Sequence, residues 1–187
     1  VYNAGDPDFS NLDETGKQLL AKRVKSEADY QVMEEIPVWE NGGSFTNRMR
    51  TRLYIFDPKT GKASVVTDEL TNVWNLCIDG DRIYFLARRF DVKMQLTSSV
   101  FVYDVQSGAL SCLLPDAGWC ADMLFVHEGS VAFFGQPWRG IYELKSNPAL
   151  YTLAGNGEVR MLFDGDEEPG GCPGSDCCFG GGESVML

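Results

Sequence analysis

The sequence contains very little histidine and no long apolar segment, and both shortages exclude functions. One histidine, His127, occurs in 187 residues. A catalytic triad, or a zinc site with several imidazoles, would therefore depend on this one side chain. Apolar runs such as 123–126 and 131–134 are four residues long, far below the roughly 18 residues that span a bilayer. We expect neither a histidine-rich metal site nor a membrane span.

Basic residues are also scarce. Sixteen Lys and Arg oppose 27 Asp and Glu, which gives a formal net charge of −11. A surface of this sign repels phosphate backbones and anionic lipids, so nucleic acid and membranes are excluded as partners. The first residues, Val1-Tyr2-Asn3-Ala4-Gly5, lack the basic and apolar regions of a signal peptide. We expect a cytoplasmic chain that starts inside a longer protein.

The six cysteines divide into two groups. Cys77, Cys112 and Cys120 lie in apolar segments, where free thiols pack as small hydrophobic groups. This favours reduced thiols and a cytoplasmic location. The other three lie in a glycine-rich tail, and they are Cys172, Cys177 and Cys178. The tail has no second pair of ligands, so we expect no zinc site there, and whether its thiols are free or oxidised stays open.

Motifs that carry chemistry are missing. No Gly-x-Ser-x-Gly nucleophile elbow occurs. Gly180-Gly181-Gly182 is not followed by the Lys-Ser/Thr of a phosphate loop, and the acidic run 164–168 lacks the ligand spacing of a calcium loop. The sequence therefore predicts no catalytic residue, no cofactor and no metal in this chain.

A strand, a glycine-containing turn and a second strand recur along the sequence. The three copies begin at Leu53, Val100 and Leu150, which are 47 and 50 residues apart. A second pair of strands keeps the same period, because Ile83 and Val131 are 48 residues apart. Four strands in fewer than about fifty residues is the repeat of a β-propeller blade.

The predicted fold is all-β: a partial β-propeller of about three four-stranded antiparallel blades, with one short N-terminal helix over 13–25. The predicted segments are a linker and short helix (1–28), an incomplete blade (29–68), two blades (69–116 and 117–168), and a Gly/Cys-rich tail or the start of the next blade (169–187). Closed propellers have about four to eight blades. We therefore expect a segment of a longer propeller, or copies that associate through open blade edges.

Aromatic and basic side chains invite both structural and functional interpretations. Tryptophans at 74, 119 and 138 are expected to pack between blades more than to bind ligands. Arg48, Arg50 and Arg52 alternate along the sequence, which predicts arginines on one strand face in ion pairs with nearby carboxylates.

The segment 29–54 contains a more specific pattern. It includes Pro37-Val38-Trp39-Glu40-Asn41-Gly42-Gly43-Ser44-Phe45, followed by Arg50-Thr51-Arg52-Leu53-Tyr54. This pattern resembles the N-terminal β-propeller of the prolyl oligopeptidase family of serine peptidases, in its acylaminoacyl-peptidase-like branch. Two departures are Ser44, where a second glycine is common, and Cys77-Ile78-Asp79-Gly80, which keeps only the Asp-Gly of the usual Ser-Pro-Asp-Gly.

The resemblance implies a division of labour. A C-terminal α/β-hydrolase domain of the parent chain would supply Ser, Asp and His, and the propeller would restrict that site to short peptides. None of the three catalytic residues falls on this sequence. Positions expected to face substrate access or the domain contact are Trp39, Asn41, Arg48, Trp138 and Arg139. The alternative is a stand-alone propeller-like module that binds proteins and is completed by self-association.

Overall fold

The computed structural model describes residues 12–26, 29, 33–36, 48–115, 118–140 and 148–164. These residues form one helix and ten strands. The helix is α1 (Glu14–Ser26). The strands are β1 (Tyr54–Asp57), β2 (Lys62–Val65), β3 (Thr71–Asp79), β4 (Arg82–Arg89), β5 (Ser99–Asp104), β6 (Leu110–Leu114), β7 (Trp119–His127), β8 (Ser130–Pro137), β9 (Ala149–Leu153) and β10 (Val159–Phe163).

Helix α1 confirms the one helix expected from the sequence. Asp13 caps it, because the Gly16 backbone N donates to Asp13 Oδ1 at 2.7 Å. Glu14 lies in the first turn and Lys25 in the last, which suits the helix dipole. No side chain of α1 is buried, and Leu19 is 65% exposed. No helix among the described residues is long and apolar enough to cross a membrane.

The strands form three antiparallel sheets, so the expectation of a chain built mainly of β-structure is confirmed. One sheet is the hairpin β1-β2. The first meander sheet has the order β3-β4-β5-β6 and the second meander sheet has the order β7-β8-β9-β10. Corresponding strands begin 48 to 50 residues apart, as Thr71 and Trp119 or Ser99 and Ala149 show. The propeller itself stays a prediction.

The turns inside these hairpins repeat in detail. After β1, the Gly61 backbone N donates to the Asp57 carbonyl at 2.8 Å, and after β5 the Gly108 backbone N does the same to Asp104. Both glycines have positive φ, 66° and 71°, a conformation that a side chain disfavours. Asp104 Oδ1 also accepts from the backbone N of Ser107 at 2.8 Å. An aspartate and a glycine four residues apart therefore close both of these hairpins, β1-β2 and β5-β6.

The second meander sheet has one buried and one half-exposed face. Cross-strand partners share a face, and the row Leu124, Phe133, Tyr151 and Met161 runs across all four strands. Phe133 is fully buried and stacks on Tyr151, with the ring centroids 5.5 Å apart. Trp119 meets the Tyr151 ring edge-on at 4.8 Å. Among the described residues, the ring contacts of Trp119 are with Phe133 and Tyr151 of its own sheet.

A β-bulge in β7 explains one glycine. The pairing with β8 shifts between Ala121 and Met123, which leaves Asp122 as the extra residue. A Cβ on Gly135, opposite the bulge, would lie 2.4 Å from the carbonyl oxygen of Cys120. Only glycine allows the two strands to approach this closely.

The described chain divides into two compact units. One contains the described residues up to Trp74 together with Arg88–Gln95, and the other contains Asn75–Ala87 and the described residues from Leu96 onward. The boundary crosses β3 and β4. In the first unit the core includes Leu53, Val73 and Phe90. In the second unit the core includes Phe85, Leu86 and three members of the row described above, namely Leu124, Phe133 and Tyr151.

Candidate functional site

A buried ion pair lies in the first unit, next to a position singled out from the sequence. The side chains of Arg50 and Glu35 are both 0% exposed. Arg50 Nη1 donates to Glu35 Oε1 at 3.1 Å, and Arg50 Nη2 donates to Glu35 Oε2. The guanidinium also lies over the Phe90 ring, 3.6 Å from its centroid. The pair is therefore bidentate and is covered by an aromatic face, which strengthens it.

The backbone completes the polar contacts of Arg50. Nη1 donates to the Met49 carbonyl at 3.0 Å and Nη2 to the Phe90 carbonyl at 3.3 Å. In the described part of the chain, Arg50 Nε is buried without a hydrogen-bond partner. A further bond, from the Ile36 N to the Val92 carbonyl at 2.8 Å, runs beside the pair. Together these contacts join residues 33–36, 48–50 and 90–92.

Arg48, a candidate for substrate access or domain contact, is held by carboxylates of its own unit. Its Nε lies 2.9 Å from Glu34 Oε2, and its Nη2 lies 3.2 Å from Asp91 Oδ1. Its backbone N donates to Glu35 Oε1 at 2.8 Å, and its φ is 68°. The side chain remains 41% exposed. A ligand or another domain that binds the Arg48 guanidinium would therefore have to compete with Glu34 and Asp91 for it.

The predicted row of arginines on a strand is corrected by the structure. Arg48, Arg50 and Arg52 precede β1, which begins at Tyr54. The first two form carboxylate pairs as expected, whereas Arg52 donates to the Thr67 carbonyl, from Nη2 at 2.6 Å. The alternation of the arginines in the sequence could not predict which of them binds a carboxylate, because the partners and the burial of each side chain depend on segments distant in the sequence.

Trp138 and Arg139 directly follow β8 in the second unit. The Trp138 backbone N donates to the Gly118 carbonyl at 2.7 Å, and its side chain is half-buried. Arg139 is exposed. Burial raises the pKa of the Tyr151 hydroxyl, the Asp164 carboxylate raises it further, and the Arg139 charge opposes both. Both residues therefore lie at the end of the sheet where β7 begins, while Trp39 and Asn41 lie outside the described residues.

The single histidine lies at the end of a strand, next to a hairpin turn. His127 ends β7 and pairs with Ser130 across a turn in which Glu128 and Gly129 have positive φ. The side chain is exposed. No group of three or more His, Cys, Asp or Glu side chains that could hold a metal ion occurs among the described residues.

Polar side chains of β3 form hydrogen bonds with backbone groups along the unpaired edge of β7 and in the turn after it. We use the name edge-capping ladder for four residues: Asn75, Cys77 and Asp79 of β3, and Ser98, which precedes β5. Asn75 Oδ1 accepts from the Leu124 N at 2.9 Å, and Cys77 Sγ donates to the Leu124 carbonyl at 3.0 Å. Asp79 Oδ2 accepts from the Gly129 N at 2.6 Å. The three residues are spaced two apart along β3, and Asn75 has a positive φ of 51°.

Ser98 extends the ladder to the other end of β7. It is 0% exposed. Its Oγ accepts from the Ala121 N at 2.7 Å and donates to the Ala121 carbonyl at 3.0 Å, while its backbone N donates to the Trp119 carbonyl at 2.8 Å. The ladder satisfies backbone groups that an edge strand otherwise leaves open to pairing with another chain.

Sequence reasoning missed this ladder. Cys77 was expected to pack as a small hydrophobic group, but its thiol is a hydrogen-bond donor, and burial raises its pKa. The available signal was the alternation of Asn75, Cys77 and Asp79 in an otherwise apolar strand. Among the described residues, Cys77, Cys112 and Cys120 form no disulfide. The cysteines at 172, 177 and 178 lie outside the described residues.

A depression of about 400 Å³ lies at one end of the second meander sheet. Its polar side chains include Ser130, Thr152, Glu158 and Arg160. Glu158 and Arg160 are both exposed and carry opposite charges, so the lining does not favour either an anionic or a cationic ligand. Neither histidine nor cysteine is among its lining residues.

No protein-family model matches the chain, and a search of curated proteins finds no match. The function must therefore be argued from the repeat, the edge-capping ladder and the surroundings of the candidate residues.

Proposed function

We propose that this chain is a noncatalytic segment of a β-propeller, in which the two meander sheets are consecutive blades. The observation that carries the proposal is that two four-stranded meanders of identical strand order repeat at 48 to 50 residues. The repeat length and the strand order are both those of a propeller blade.

The edge-capping ladder supports this assignment. In a propeller each blade packs on its neighbour, and the first strands of adjacent blades lie side by side. The first strand of one meander, β3, binds the free edge of the first strand of the next, β7, through Asn75 and Cys77. The hairpin β1-β2 shares its closing turn with β5-β6, so it fits the last two strands of a preceding blade.

The parent protein is, in this proposal, an oligopeptide-cleaving serine peptidase of the prolyl oligopeptidase family. The support is the resemblance over 29–54, because the chain itself has no nucleophile elbow. The propeller would restrict substrate access and contact a catalytic α/β-hydrolase domain. The Glu35–Arg50 pair joins the two sides of the segment that carries the resemblance, so it would fix how Arg48 meets that domain or a short peptide.

The coding sequence around this chain tests the proposal. We expect further repeats of about 48 residues, then a Gly-x-Ser-x-Gly with a downstream Asp and His. The product of that complete coding sequence should hydrolyse acylaminoacyl and short-peptide chromogenic substrates, and the Ser→Ala variant should not. A coding sequence without the elbow, or hydrolysis by residues 1–187 alone, would contradict the peptidase assignment.

A second candidate function is a stand-alone propeller-like module that binds proteins. It is favoured by the half-exposed apolar face of the second meander sheet, which includes Phe134 and Leu150. Soluble proteins rarely expose a contiguous apolar surface unless it binds something. A coding sequence that encodes only these repeats would select this function over the peptidase.

A further inference from the structure

The segment 33–36 has one buried side chain, and that side chain is a carboxylate. Glu35 is buried, whereas the residues on either side of it are exposed. The two apolar side chains of the segment, Met33 and Ile36, are 36% and 55% exposed. Burial of apolar area therefore contributes little to holding this segment on the rest of the first unit. We call residues 33–36 the strap.

Polar contacts hold the strap. The Glu35 carboxylate accepts two hydrogen bonds from the Arg50 guanidinium and one from the Arg48 backbone N. A backbone hydrogen bond from the Ile36 N to the Val92 carbonyl, 2.8 Å long, adds to these. Three of these four hydrogen bonds end on one carboxylate, so Glu35 is the main anchor of the strap.

Arg50 and Phe90 form a binding site for a carboxylate, and Glu35 fills it. Arg50 presents Nη1 and Nη2 side by side, which is the geometry that binds the two oxygens of a carboxylate. The Phe90 ring lies 3.6 Å from the guanidinium and favours its positive charge. Nothing in this chemistry requires the carboxylate to belong to the same chain, since the fork of an arginine recognises the carboxylate itself.

Two features show that Glu35 does not satisfy the site completely. In the described part of the chain, Arg50 Nε is buried without a hydrogen-bond partner, which is costly for a donor removed from water. The Arg48 backbone N reaches Glu35 with φ at 68°, a conformation that a non-glycine residue disfavours. Release of the strap hydrates Nε and frees Arg48 from this conformation, so both features favour release.

We propose that residues 33–36 are a releasable strap, in which Glu35 occupies a binding site that can take the carboxylate of another molecule. The proposal goes beyond the proposed function, because it depends on neither the blades nor a peptidase domain. Glu35 is 15 positions from Arg50, and a tether of this length gives an effective concentration on the order of millimolar. An external carboxylate therefore takes the site only when its concentration exceeds that range.

Hydrogen exchange of the unmodified chain tests whether the strap opens while the first unit stays folded. The reporting amides are Ile36 N and Arg48 N, whose hydrogen bonds hold the strap. The reference amide is Val73 N, which donates to the Thr51 carbonyl at 2.8 Å in the same unit. Both reporting amides should be protected about tenfold less than Val73 or weaker still, and their exchange should depend little on low urea concentrations.

An added carboxylate should hold the strap open. Sodium acetate above the millimolar range should lower the protection of the Ile36 and Arg48 amides about threefold or more, and leave Val73 unchanged. Sodium chloride at equal ionic strength controls for screening, and acetamide has the shape of acetate without the charge. Alanyl-alanine and its C-terminal amide separate two sources of this chemistry, because a site for peptide ends responds to the free dipeptide at lower concentration than to acetate.

A variant without the internal carboxylate tests the site directly. Acetate should raise the urea midpoint of Glu35→Ala in proportion to the logarithm of its concentration, and adding Arg50→Met should abolish this response. Glu35→Gln keeps the side-chain shape and replaces the alanine variant if that chain does not fold. The matched control is Glu14→Ala, which removes the exposed partner of Lys17. Its response to acetate gives the general effect of the salt, which is subtracted.

Either of two results would overturn the proposal. The first is exchange of the Ile36 and Arg48 amides with the same protection and urea dependence as Val73, because the strap would then open only on unfolding. The second is no effect of acetate or alanyl-alanine beyond that of sodium chloride, in both the unmodified chain and the Glu35 variants. Neither result concerns the repeats in the coding sequence, so the proposed function is tested separately.

Discussion

Glu35→Gln leaves the buried Arg50 guanidinium without its negative partner while keeping nearly the same side-chain shape. In the native chain, both side chains are 0% exposed and share two hydrogen bonds. A glutamine can still offer one oxygen to Nη1 or Nη2. Its amide nitrogen, however, then faces the other donor, and the positive charge stays buried. The substitution therefore isolates the charge of the pair.

The expected cost follows from burial rather than from the number of hydrogen bonds. Removing one member of a buried ion pair costs about 3–5 kcal/mol, because it leaves an uncompensated charge in a poorly polarisable surrounding. The Phe90 ring, 3.6 Å from the Arg50 guanidinium, compensates only in part. We expect Glu35→Gln to lower the free energy of unfolding of the first unit by about 3 kcal/mol.

Urea denaturation followed by circular dichroism gives this free energy, and hydrogen exchange shows where it is lost. Amides that the pair holds in the first unit, such as Ile36 N and Phe90 N, should exchange faster in the variant. The matched control is Glu14→Gln, which breaks the exposed pair of Glu14 with Lys17, 3.0 Å long. Exposed pairs contribute roughly 0–1 kcal/mol, so this control should unfold almost as the native chain does.

A double substitution completes the test. Glu35→Leu with Arg50→Met removes both charges and keeps apolar volume, so it should be much less destabilising than Glu35→Gln. The reasoning is refuted if Glu35→Gln costs no more than Glu14→Gln. It is also refuted if the double variant loses as much stability as Glu35→Gln alone.

Three further predictions concern the second unit and acid stability. Asn75→Ala should cost about 1–3 kcal/mol and speed hydrogen exchange of the Leu124 amide, because that buried donor loses its acceptor. Gly135→Ala should cost about 1–3 kcal/mol in urea denaturation, because the new Cβ overlaps the β7 backbone at the bulge. Hydrogen bonds from the Ser107 backbone N and then its hydroxyl hold the pKa of Asp104 below its ordinary value. Since this carboxylate titrates lower when folded, its contribution is complete above the unfolded pKa and is lost as pH falls through the folded one, so the urea midpoint should drop on acidification.

A different result would contradict each of these three predictions. An unchanged Leu124 exchange rate in Asn75→Ala would mean that the ladder does not cap β7. Native stability of Gly135→Ala would mean that the bulge relaxes without cost. For the acid prediction, Ser107→Ala should flatten the pH dependence of the urea midpoint, and an identical profile in that variant would count against the hydrogen bonds as its cause.

The local pattern predicted the secondary structure well because its causes are local. Alternating apolar residues and turns such as Asp57 to Gly61 specify a strand pair within about a dozen residues. The helix over 13–25 needed only a capping aspartate and good helix formers. The repeat then placed two four-stranded meanders in order, since each strand pairs with its neighbour along the chain.

The candidate site was predicted less completely, since it depends on contacts between distant residues. Arg50 and Glu35 are 15 positions apart, and Phe90 covers them from another part of the chain. Nothing in the alternation of Arg48, Arg50 and Arg52 distinguished the buried arginine from the two half-buried ones. The edge-capping ladder depends on Leu124, 49 residues beyond Asn75, which no local pattern could reveal.

The sequence by itself determined the strands, the hairpin turns, the single helix and the period of the repeat. These follow from side-chain alternation and from glycines at positive φ, which act over a few residues. Only the tertiary structure decided that Arg50 is buried against Glu35, that Cys77 is a hydrogen-bond donor, and that Phe133 of the second meander sheet is buried while its neighbour Phe134 stays partly exposed. Burial and the partners of polar groups are set by surfaces that meet only when the chain has folded, and for that reason they belong to the tertiary structure.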